Sequence, residues 1–387
     1  MKNFVSSKVL NLQPSATVSI SDKARKLRQA GFDIINLAGG EPDFDTPRKV
    51  VDEAVKSINI GYTHYVDSKG IIDLRKKIAE KLYSENNIEI DYENGIIVTA
   101  SAKYALFLAL FTFINIGDEV LVFDPSWVSY KPLIEMSGGV PVPVPLNYKS
   151  NFAITEESLL KYVTPKTKAL ILNSPNNPTG RVVSRDEMSA IVSFIQRHDI
   201  LLISDEIYEK IIFDSNKHIS PGSFSKIKDK VITVNGFSKA FAMTGWRLGY
   251  LAAHPELIKE VLKVQQHTLT CAGSFIQQAA VHAFSCEKEV MDMTEEYSRR
   301  RDFFVKVLNE IHGVECRYPQ GAFYVFPNID YKGMDSIELC SYIIENAKVA
   351  ATPGSAFGAG GDKCIRMSFA TEMENLEKAV ERLSKIF

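Results

Sequence analysis

The sequence predicts an α/β fold with two domains, a large one built on a mainly parallel sheet and a smaller α+β domain. In the first part of the chain, short apolar runs alternate with amphipathic helical segments, which is typical of a parallel sheet. The pattern changes after about residue 280. A long, highly charged helical segment at 287–311 is followed there by strand-like runs at 322–326 and 364–369, which indicates the second domain.

Length and composition are sufficient for two such domains. The chain has 387 residues, of which 45% are hydrophobic and 24% are charged, enough for a large core. We expect the N-terminal segment to join the C-terminal part of the chain. The large domain would then span residues 45–280, and the small domain would combine residues 1–44 with 281–387.

Five short apolar runs are the predicted strands of the large domain. Each is followed at once by polar or conformationally special residues, and the runs are 96–99, 120–123, 169–172, 200–203 and 231–234. In open α/β sheets, ligands bind beyond the carboxyl ends of the strands. The five segments that follow these strands are therefore expected to converge on one site.

Charge and cysteine content limit the partners and the compartment of the protein. The formal net charge is −2 and the pI is about 6.4, so neither nucleic acid nor an anionic membrane is favoured as a partner. No signal peptide is expected, and no apolar run approaches the ~20 residues of a membrane span. The five cysteines are scattered, which favours reduced thiols and a cytoplasmic protein. The seven histidines show no metal-ligand spacing, so no metal site is expected.

Lys239 is the first candidate for a chemical role. It follows the predicted strand 231–234 and stands between Ser238 and a small residue, with Arg247 eight positions further on. A lysine at such a strand end can form a Schiff base with an aldehyde when its amine is partly deprotonated. An arginine can hold a phosphate through two parallel bonds. Aldehyde and phosphate together describe pyridoxal 5′-phosphate (PLP), whereas by base rate alone Lys239 would be an ordinary solvated lysine.

Two further candidates follow the very apolar strand 200–203. The Asp205 carboxylate can pair with a protonated pyridine nitrogen, which keeps the ring an electron sink. The alternative is an aspartate that caps the next helix. Tyr208 lies three residues on, where its phenol can reach the neighbouring ring oxygen, and its alternative is half-buried packing.

Other strand ends offer groups for the same ligand. The turn at 173–180 is rich in Pro and Asn and can hold the Asn177 amide in place, although a simple tight turn is the alternative. Ser101, Ala102 and Lys103 open a helical run whose N–H groups can bind phosphate, unless Ser101 is only an N-cap.

Two large side chains complete the candidates from the residues themselves. Trp127 follows a strand and can stack on a flat aromatic cofactor, with core packing as the alternative. Arg366 lies in an alternating strand near the C-terminus and can clamp a carboxylate through two bonds, with an exposed strand arginine as the alternative.

Taken together, these segments resemble the aspartate aminotransferase family, the class I aminotransferases of PLP fold type I. The resemblance covers nearly the whole chain, and its motifs occur in the family's order. They lie at 14–17, 40–47, 65–70, 125–130, 173–180, 204–208, 238–250, 321–324, 353–358 and 365–369.

The resemblance implies a role in cofactor binding for several residues. Lys239 matches the lysine that bonds the cofactor aldehyde and then carries a proton between the substrate α-carbon and the cofactor. Asp205 matches the partner of the pyridine nitrogen, and Trp127 matches the residue stacked on the ring. Tyr208 and Asn177 match the pair that bonds the 3-oxygen of the ring.

The same resemblance implies the phosphate and substrate sites. Arg247 and Ser238 match phosphate ligands, together with the helix start formed by Ser101, Ala102 and Lys103. Tyr65 matches a tyrosine that reaches the phosphate of the neighbouring subunit, which implies a homodimer with shared sites. Arg366 and Asn177 match the clamp on the substrate α-carboxylate, and Gly40 lies beside the substrate.

Three positions distinguish this chain within the family. Ser101 stands where the family usually has glycine. Tyr130 stands where the animal-type enzymes have a histidine, which favours the bacterial and archaeal subgroup. Lys103 matches a lysine that serves the distal carboxylate in that subgroup, near Ser15 and Thr17. Acidic substrates are therefore expected.

The expected activity is transfer of an amino group from an L-amino acid, aspartate, to a 2-oxo acid, 2-oxoglutarate, by a ping-pong mechanism. An aromatic, prephenate or broad-specificity aminotransferase is the alternative, followed by a PLP C–S lyase or an enzyme similar to aminocyclopropane-carboxylate synthase. A PLP-sensing domain of a transcription regulator is disfavoured, because the motifs begin near residue 14 and leave no room for a DNA-binding module.

Overall fold

A seven-stranded sheet forms the centre of the structure, a computed structural model that describes residues 4–10 and 12–387. The strands of the described part are β1 (Ile35–Asn36), β2 (Ile96–Thr99), β3 (Glu119–Asp124), β4 (Val140–Pro145), β5 (Thr167–Asn173), β6 (Leu201–Asp205), β7 (Val231–Gly236), β8 (Gly249–Ala252), β9 (Val314–Glu315), β10 (Tyr324–Val325), β11 (Asn328–Ile329), β12 (Val349–Ala350), β13 (Thr352–Pro353) and β14 (Ile365–Ser368).

The helices surround this sheet and the smaller ones. They are α1 (Ser7–Leu10), α2 (Ala16–Gln29), α3 (Arg48–Asn59), α4 (Ile72–Asn86), α5 (Ala102–Phe113), α6 (Tyr130–Met136), α7 (Glu156–Leu160), α8 (Arg185–His198), α9 (Pro255–Thr268), α10 (Ser274–Val281), α11 (Glu287–Leu308), α12 (Ser336–Asn346) and α13 (Met373–Leu383). Within residues 4–10 and 12–387, no helix combines the length and the apolar character needed to cross a membrane.

The strand order of the large sheet is β2-β8-β7-β6-β5-β3-β4. Only β8 runs antiparallel, to β2 on one side and β7 on the other. The prediction of an α/β fold with a mainly parallel sheet is confirmed, and all five predicted strands are present. Two strands were not predicted. The β4 strand alternates Val with Pro, which cannot donate to a ladder and is tolerated because β4 is an edge strand.

Alternating side chains of the large sheet pack against helices on its two faces. Val120 and Val122 of β3 join α5, α6 and α9 in one core, whereas Leu121 and Phe123 pack against α7 and α8 on the other face. Helices α3, α4 and α10 cover the β2 and β8 end of the sheet. Both faces are thus covered, which is the reason that these strands read as continuous apolar runs.

The C-terminal part forms smaller sheets over a separate core. The N-terminal strand β1 pairs in parallel with β12, and β14 lies between β10 and β13 with antiparallel pairing. Strands β9 and β11 form a further antiparallel pair. The long helix α11 ends at Leu308, three residues before the predicted end at Ile311. Its first half touches the core beside α3 and α4, and its second half packs into the core beneath β10 and β14.

Candidate active site

A cavity of about 740 Å³ lies at the carboxyl ends of the parallel strands. Because β2, β3, β5, β6 and β7 are parallel, the segments that follow them meet at one edge of the sheet. The candidate residues that line the cavity are Thr17, Gly40, Ser101, Ala102, Lys103, Trp127, Asn177, Asp205, Tyr208, Ser238, Lys239, Arg247 and Arg366.

Two candidate residues lie outside this cavity. Tyr65 is 84% exposed and faces solvent in the single chain. The Ser15 hydroxyl does not line the cavity but lies 3.1 Å from the hydroxyl of Thr17, which does. Ser15 therefore contacts a residue of the cavity wall, Thr17, without lining the cavity itself.

Lys239 follows the end of β7 and is partly buried against the segment that carries Gly40. Its ammonium donates a hydrogen bond to the backbone carbonyl of Gly40 and lies near the rings of Tyr208 and Phe323. Burial lowers the pKa of the Lys239 amine to about 8, although the charge of Glu41 opposes this shift. A substantial fraction of the amine is therefore neutral near physiological pH, as a nucleophile or proton acceptor requires.

Asp205 is the last residue of β6 and is 3% exposed. The chain continues into turns after it, so Asp205 does not cap a helix. The Tyr130 hydroxyl donates to its Oδ2 at 2.7 Å, and the backbone N–H of Ile207 donates to Oδ1 at 3.3 Å. Burial raises the pKa of Asp205 to about 6, against the effect of the Tyr130 hydrogen bond. A cation beside this carboxylate would favour its charged form.

The Tyr208 phenol and Arg366 lie together on another side of the cavity. The Tyr208 and Tyr324 hydroxyl oxygens are 2.9 Å apart, and burial raises the Tyr208 pKa well above its ordinary value, so the phenol remains a donor. The Arg366 guanidinium lies 4.3 Å from the Tyr324 ring centroid and 5.0 Å from that of Phe357. This packing holds the plane of the guanidinium in one orientation.

Arg366 retains capacity to bind an anion. Its Nη1 donates to Asn177 Oδ1 at 3.1 Å and its Nη2 to the Ala38 carbonyl at 2.7 Å. The Nε atom is buried and has no hydrogen-bond partner within the described residues. A buried unpaired donor on a buried cation indicates a missing acceptor, and a carboxylate would supply it.

The start of α5 forms a candidate anion site in the same cavity. Its first N–H groups, from Ala102 and Lys103, face the cavity beside Arg247 and Ser238. The helix start packs directly on β8, because a Cβ on Gly249 would come within 2.3 Å of the Ala102 nitrogen. The arrangement combines helix N–H groups, a hydroxyl and a guanidinium, the groups that bind phosphate.

Ser101 has the backbone conformation of a glycine. Its φ is 124° and its ψ is 159°, a region that side chains other than glycine rarely adopt. This conformation suits the glycine that the family resemblance implies at this position. In compensation, the Ser101 hydroxyl caps α5 by accepting from the backbone N–H of Tyr104 at 3.2 Å.

We expect Ser101→Gly to stabilise the protein by ~1 kcal/mol, because relief of the strain exceeds the few tenths lost when Gly replaces a Ser cap. Ser101→Ala keeps the strain, loses the cap and is expected to destabilise by about 1 kcal/mol. The urea midpoints of the two variants, with and without PLP, test this difference. A Ser101→Gly midpoint as low as that of Ser101→Ala would contradict it.

Several residues of the cavity were not predicted from the sequence, and two of them make contacts that bear on the site. Tyr324 stands in the motif at 321–324, which signalled the family, but its contacts with Tyr208 and Arg366 arise only when β10 pairs with β14. Glu41 also lines the cavity and accepts a hydrogen bond from Thr244 at 3.1 Å. The position of Glu41 directly after Gly40 was the available signal.

The side chains of this cavity fit PLP. Burial raises the pKa of Asp205 although the charge of Lys239 opposes the shift, and a protonated pyridine nitrogen would provide a directly paired cation. The Lys239 amine suits the aldehyde, the α5 start with Arg247 suits the phosphate, and Trp127 offers a ring face. The unpaired Nε of Arg366 suits a substrate carboxylate.

Comparisons with known proteins agree with this fit. A family model described as aminotransferase class I and II matches residues 33–383. An aspartate aminotransferase from Musicola paradisiaca is 42% identical over 383 residues, covering 98% of this chain and 96% of that protein. An aromatic-amino-acid aminotransferase 2 from Thermococcus litoralis is 42% identical over 356 residues, covering 91% of each.

A solved structure has the same fold. The aspartate aminotransferase from Thermus thermophilus with maleate is similar at a TM-score of 0.95 and 38% identity, covering 100% of both chains. The matches to the family model, to the relatives and to this structure each extend over most of the sequence, and the family model includes every cavity segment except that of α2. The chain therefore belongs to the aminotransferase class I and II family, whose members are enzymes that depend on PLP.

Proposed function

We propose that the enzyme transfers the amino group of L-aspartate to 2-oxoglutarate in two half-reactions. One observation carries this proposal: six cationic side chains line the cavity, and three of them remain once the others are accounted for. Arg25 pairs with Asp22, Arg28 donates to the Ile34 carbonyl, and the Lys239 amine suits the aldehyde. Arg247, Arg366 and Lys103 are left. A cofactor phosphate and a substrate α-carboxylate account for the first two. Lys103 then remains for a second carboxylate, which aspartate and 2-oxoglutarate both carry and neutral amino acids lack.

The surroundings of Lys103 support a role in binding a distal carboxylate. Its ammonium lies 5.0 Å from the Trp127 ring centroid, and Thr17 of α2 lines the same cavity with Ser15 behind it. Partial burial, and then the charge of Arg247, lower the pKa of Lys103, so an added carboxylate would relieve an unfavourable environment. The Thermus thermophilus relative, whose structure is described with maleate, accommodates a dicarboxylate.

The residues that line the cavity support a specific set of contacts with the cofactor. Asp205 would pair with the pyridine nitrogen, with Tyr130 orienting the carboxylate. Tyr208 and Asn177 would donate to the ring 3-oxygen, and Trp127 would stack on the ring. Arg247, Ser238 and the N–H groups of Ser101, Ala102 and Lys103 would bind the phosphate. When bound, PLP supplies an aldehyde that takes up the amino group and a ring that withdraws electrons from the substrate α-carbon.

The chain's own part in the chemistry is to position the substrate and move a proton. Arg366 and Asn177 would hold the α-carboxylate beside Gly40, which orients the α-hydrogen toward Lys239. A lysine with a pKa of about 8 can accept this proton and donate it again, because neither form is strongly favoured near neutral pH. Tyr208, kept protonated by burial, remains a hydrogen-bond donor throughout.

Aromatic substrates are the second candidate. Val18, Leu106 and Trp127 place apolar surface in the cavity, and the Thermococcus litoralis relative is described as an aromatic-amino-acid aminotransferase. A broad-specificity enzyme would use this surface for rings and Lys103 for carboxylates.

A panel of amino donors tests the proposal, with aspartate and phenylalanine compared in wild type and Lys103→Met. We expect Lys103→Met to lower kcat/KM for aspartate about 10- to 100-fold, the value of a charge-assisted hydrogen bond. Activity on phenylalanine should stay within about threefold, because no charge pairs with Lys103 there. Lys263→Met removes an exposed lysine of α9, paired with Glu260, and serves as the control. Equal losses on both donors would contradict a distal-carboxylate role.

We also propose a homodimer in which Tyr65 reaches the phosphate site of the partner. The high exposure of Tyr65 and its place outside its own cavity support this, as do the exposed Ile58 and Ile60 nearby in sequence.

A large domain at 45–280 and a small domain of 1–44 with 281–387 are proposed from the separate cores. The free cysteines support a cytoplasmic enzyme.

A further inference from the structure

Two buried carboxylates alternate with the cofactor-facing residues of the segment 205–209. Asp205 and Tyr208 line the active-site cavity, whereas Glu206 and Glu209 follow them directly in sequence and do not line it. Glu206 is 0% exposed, and the Glu209 side chain is 9% exposed. Buried carboxylates need partners, and these two share a common set.

Glu206 is bound on every side. The Ser204 hydroxyl donates to its Oε1 at 2.8 Å, and the His218 Nε2 lies 2.8 Å from its Oε2. The hydroxyl of Ser220 and the amide of Asn86 also donate to Oε2. Four partners on one carboxylate fix its position from β6, from the segment 218–220 and from α4.

Glu209 connects the same segment to α4 and to β7. The Lys81 ammonium of α4 donates to its Oε1 and also to Asn86 Oδ1 at 2.7 Å. The Asn86 amide donates to Oε2 at 2.7 Å. The Asn235 amide donates to Oε1 at 2.6 Å, and Asn235 lies on β7, four residues before Lys239.

We name Lys81, Asn86, Glu206, Glu209 and His218 the anchor cluster. Glu206, Glu209 and His218 each place one ligand atom within 4.8 Å of the others, a grouping that could suit a metal ion. The Lys81 ammonium already bonds Glu209 there, and His218 pairs with Glu206, whose charge raises the His218 pKa against the effect of burial. Lys81 and, when protonated, His218 therefore supply positive charge next to the two carboxylates.

We propose that the anchor cluster is a positioning device for the catalytic segment. It bonds two carboxylates in 205–209 to α4, and through Asn235 it ties that segment to the strand that leads to Lys239. The Asp205 carboxylate and the Tyr208 phenol are thereby held in one place relative to the lysine. Lys81 and Glu209 do not line the active-site cavity, so in this proposal they act only through these residues. The inference rests on the proposed cofactor contacts of Asp205 and Tyr208.

Lys81→Met tests the proposal, with Arg75→Met as a matched control. Arg75 lies on the same helix, is 3% exposed, and donates hydrogen bonds to the carbonyls of Gly70, Tyr92 and Glu93, with the exposed Asp67 carboxylate 3.8 Å away. Both variants remove a buried cation from α4. We expect both to lower the thermal midpoint, but only Lys81→Met to raise the dissociation constant of PLP about tenfold or more.

The visible circular dichroism of bound PLP gives a second readout, because it depends on how the ring is held. We expect Lys81→Met to change this signal and to lower kcat with little change in KM, and Lys81→Arg, which retains the cation, to restore both. Glu209→Gln is the milder variant if Lys81→Met does not fold, since it removes one charge and its remaining oxygen can still accept from Asn86 or from Asn235.

The result that overturns the proposal is a loss of stability in Lys81→Met and Glu209→Gln with unchanged PLP affinity and dichroism. An equal shift in PLP affinity for Arg75→Met overturns it as well, since the effect would then be general to α4. A wrong choice of amino donor is distinguishable, because PLP affinity and dichroism are measured without any donor.

Discussion

Lys239→Ala is expected to lower the rate of transamination by about 10³-fold or more, the upper range for loss of a positioned proton carrier. The substitution removes the amine that we propose bonds the cofactor and moves the α-proton. The low pKa of about 8 and the place of Lys239 at the end of β7 are the structural reasons. Single-turnover measurements with aspartate, followed by the absorbance of the bound cofactor, give the rate of the chemical step directly.

The control is the affinity of the Lys239→Ala variant for PLP. Asp205, Tyr208 and Arg247 remain, so the variant is expected to retain PLP by non-covalent contacts, which equilibrium dialysis measures. Loss of activity with retained PLP would locate the effect in the chemistry. Full turnover by Lys239→Ala would exclude the proposed proton carrier and with it the proposed mechanism.

Arg366→Lys is expected to show the second largest effect, a fall of about 100-fold in kcat/KM for the amino donor. Lysine keeps the charge but has neither the planar fork nor the stacking against Tyr324 and Phe357. The Nε of Arg366 is a buried donor without a partner among the described residues, which is consistent with a carboxylate ligand. Because the α-carboxylate is common to all donors, the loss should be similar for aspartate and phenylalanine.

Arg300→Lys is the matched control for this prediction. Arg300 is also buried, bonds both oxygens of Asp43, and stacks against Phe44 and Tyr297. It does not line the cavity. Its substitution should lower the thermal midpoint and leave the KM for amino donors within about threefold. A KM that rises equally in both variants would mean that the Arg366 effect is one of stability.

Local patterns in the sequence were sufficient for the main features of the fold. The five strands that carry the site were all recognisable, because strands covered on both faces read as apolar runs with polar residues at their ends. The order of the strands and the antiparallel direction of β8 were not recognisable, because they depend on pairing between residues far apart in the chain. β4 was missed because its alternating prolines argue against a strand anywhere but at a sheet edge.

For the site as well, the sequence identified candidate residues, and only the structure showed their contacts. The residue types at strand ends, and their resemblance to a known family, identified Lys239, Asp205 and Arg366 as candidates. Only the folded chain showed that Tyr130 donates to Asp205 and that Tyr324 packs under Arg366.

The sequence by itself determined the fold class, the cofactor and the candidate residues, because each depends on a short segment and its immediate neighbours. The tertiary structure decided the burial, the pKa values and the long-range contacts of those residues. The lowered pKa of Lys239 and the raised pKa of Asp205 come chiefly from burial, and the unusual backbone conformation of Ser101 lies where α5 packs closely on β8. The anchor cluster joins α4, the segment 205–209 and β7. Burial and long-range contact are properties of the folded chain, and no local pattern encodes them.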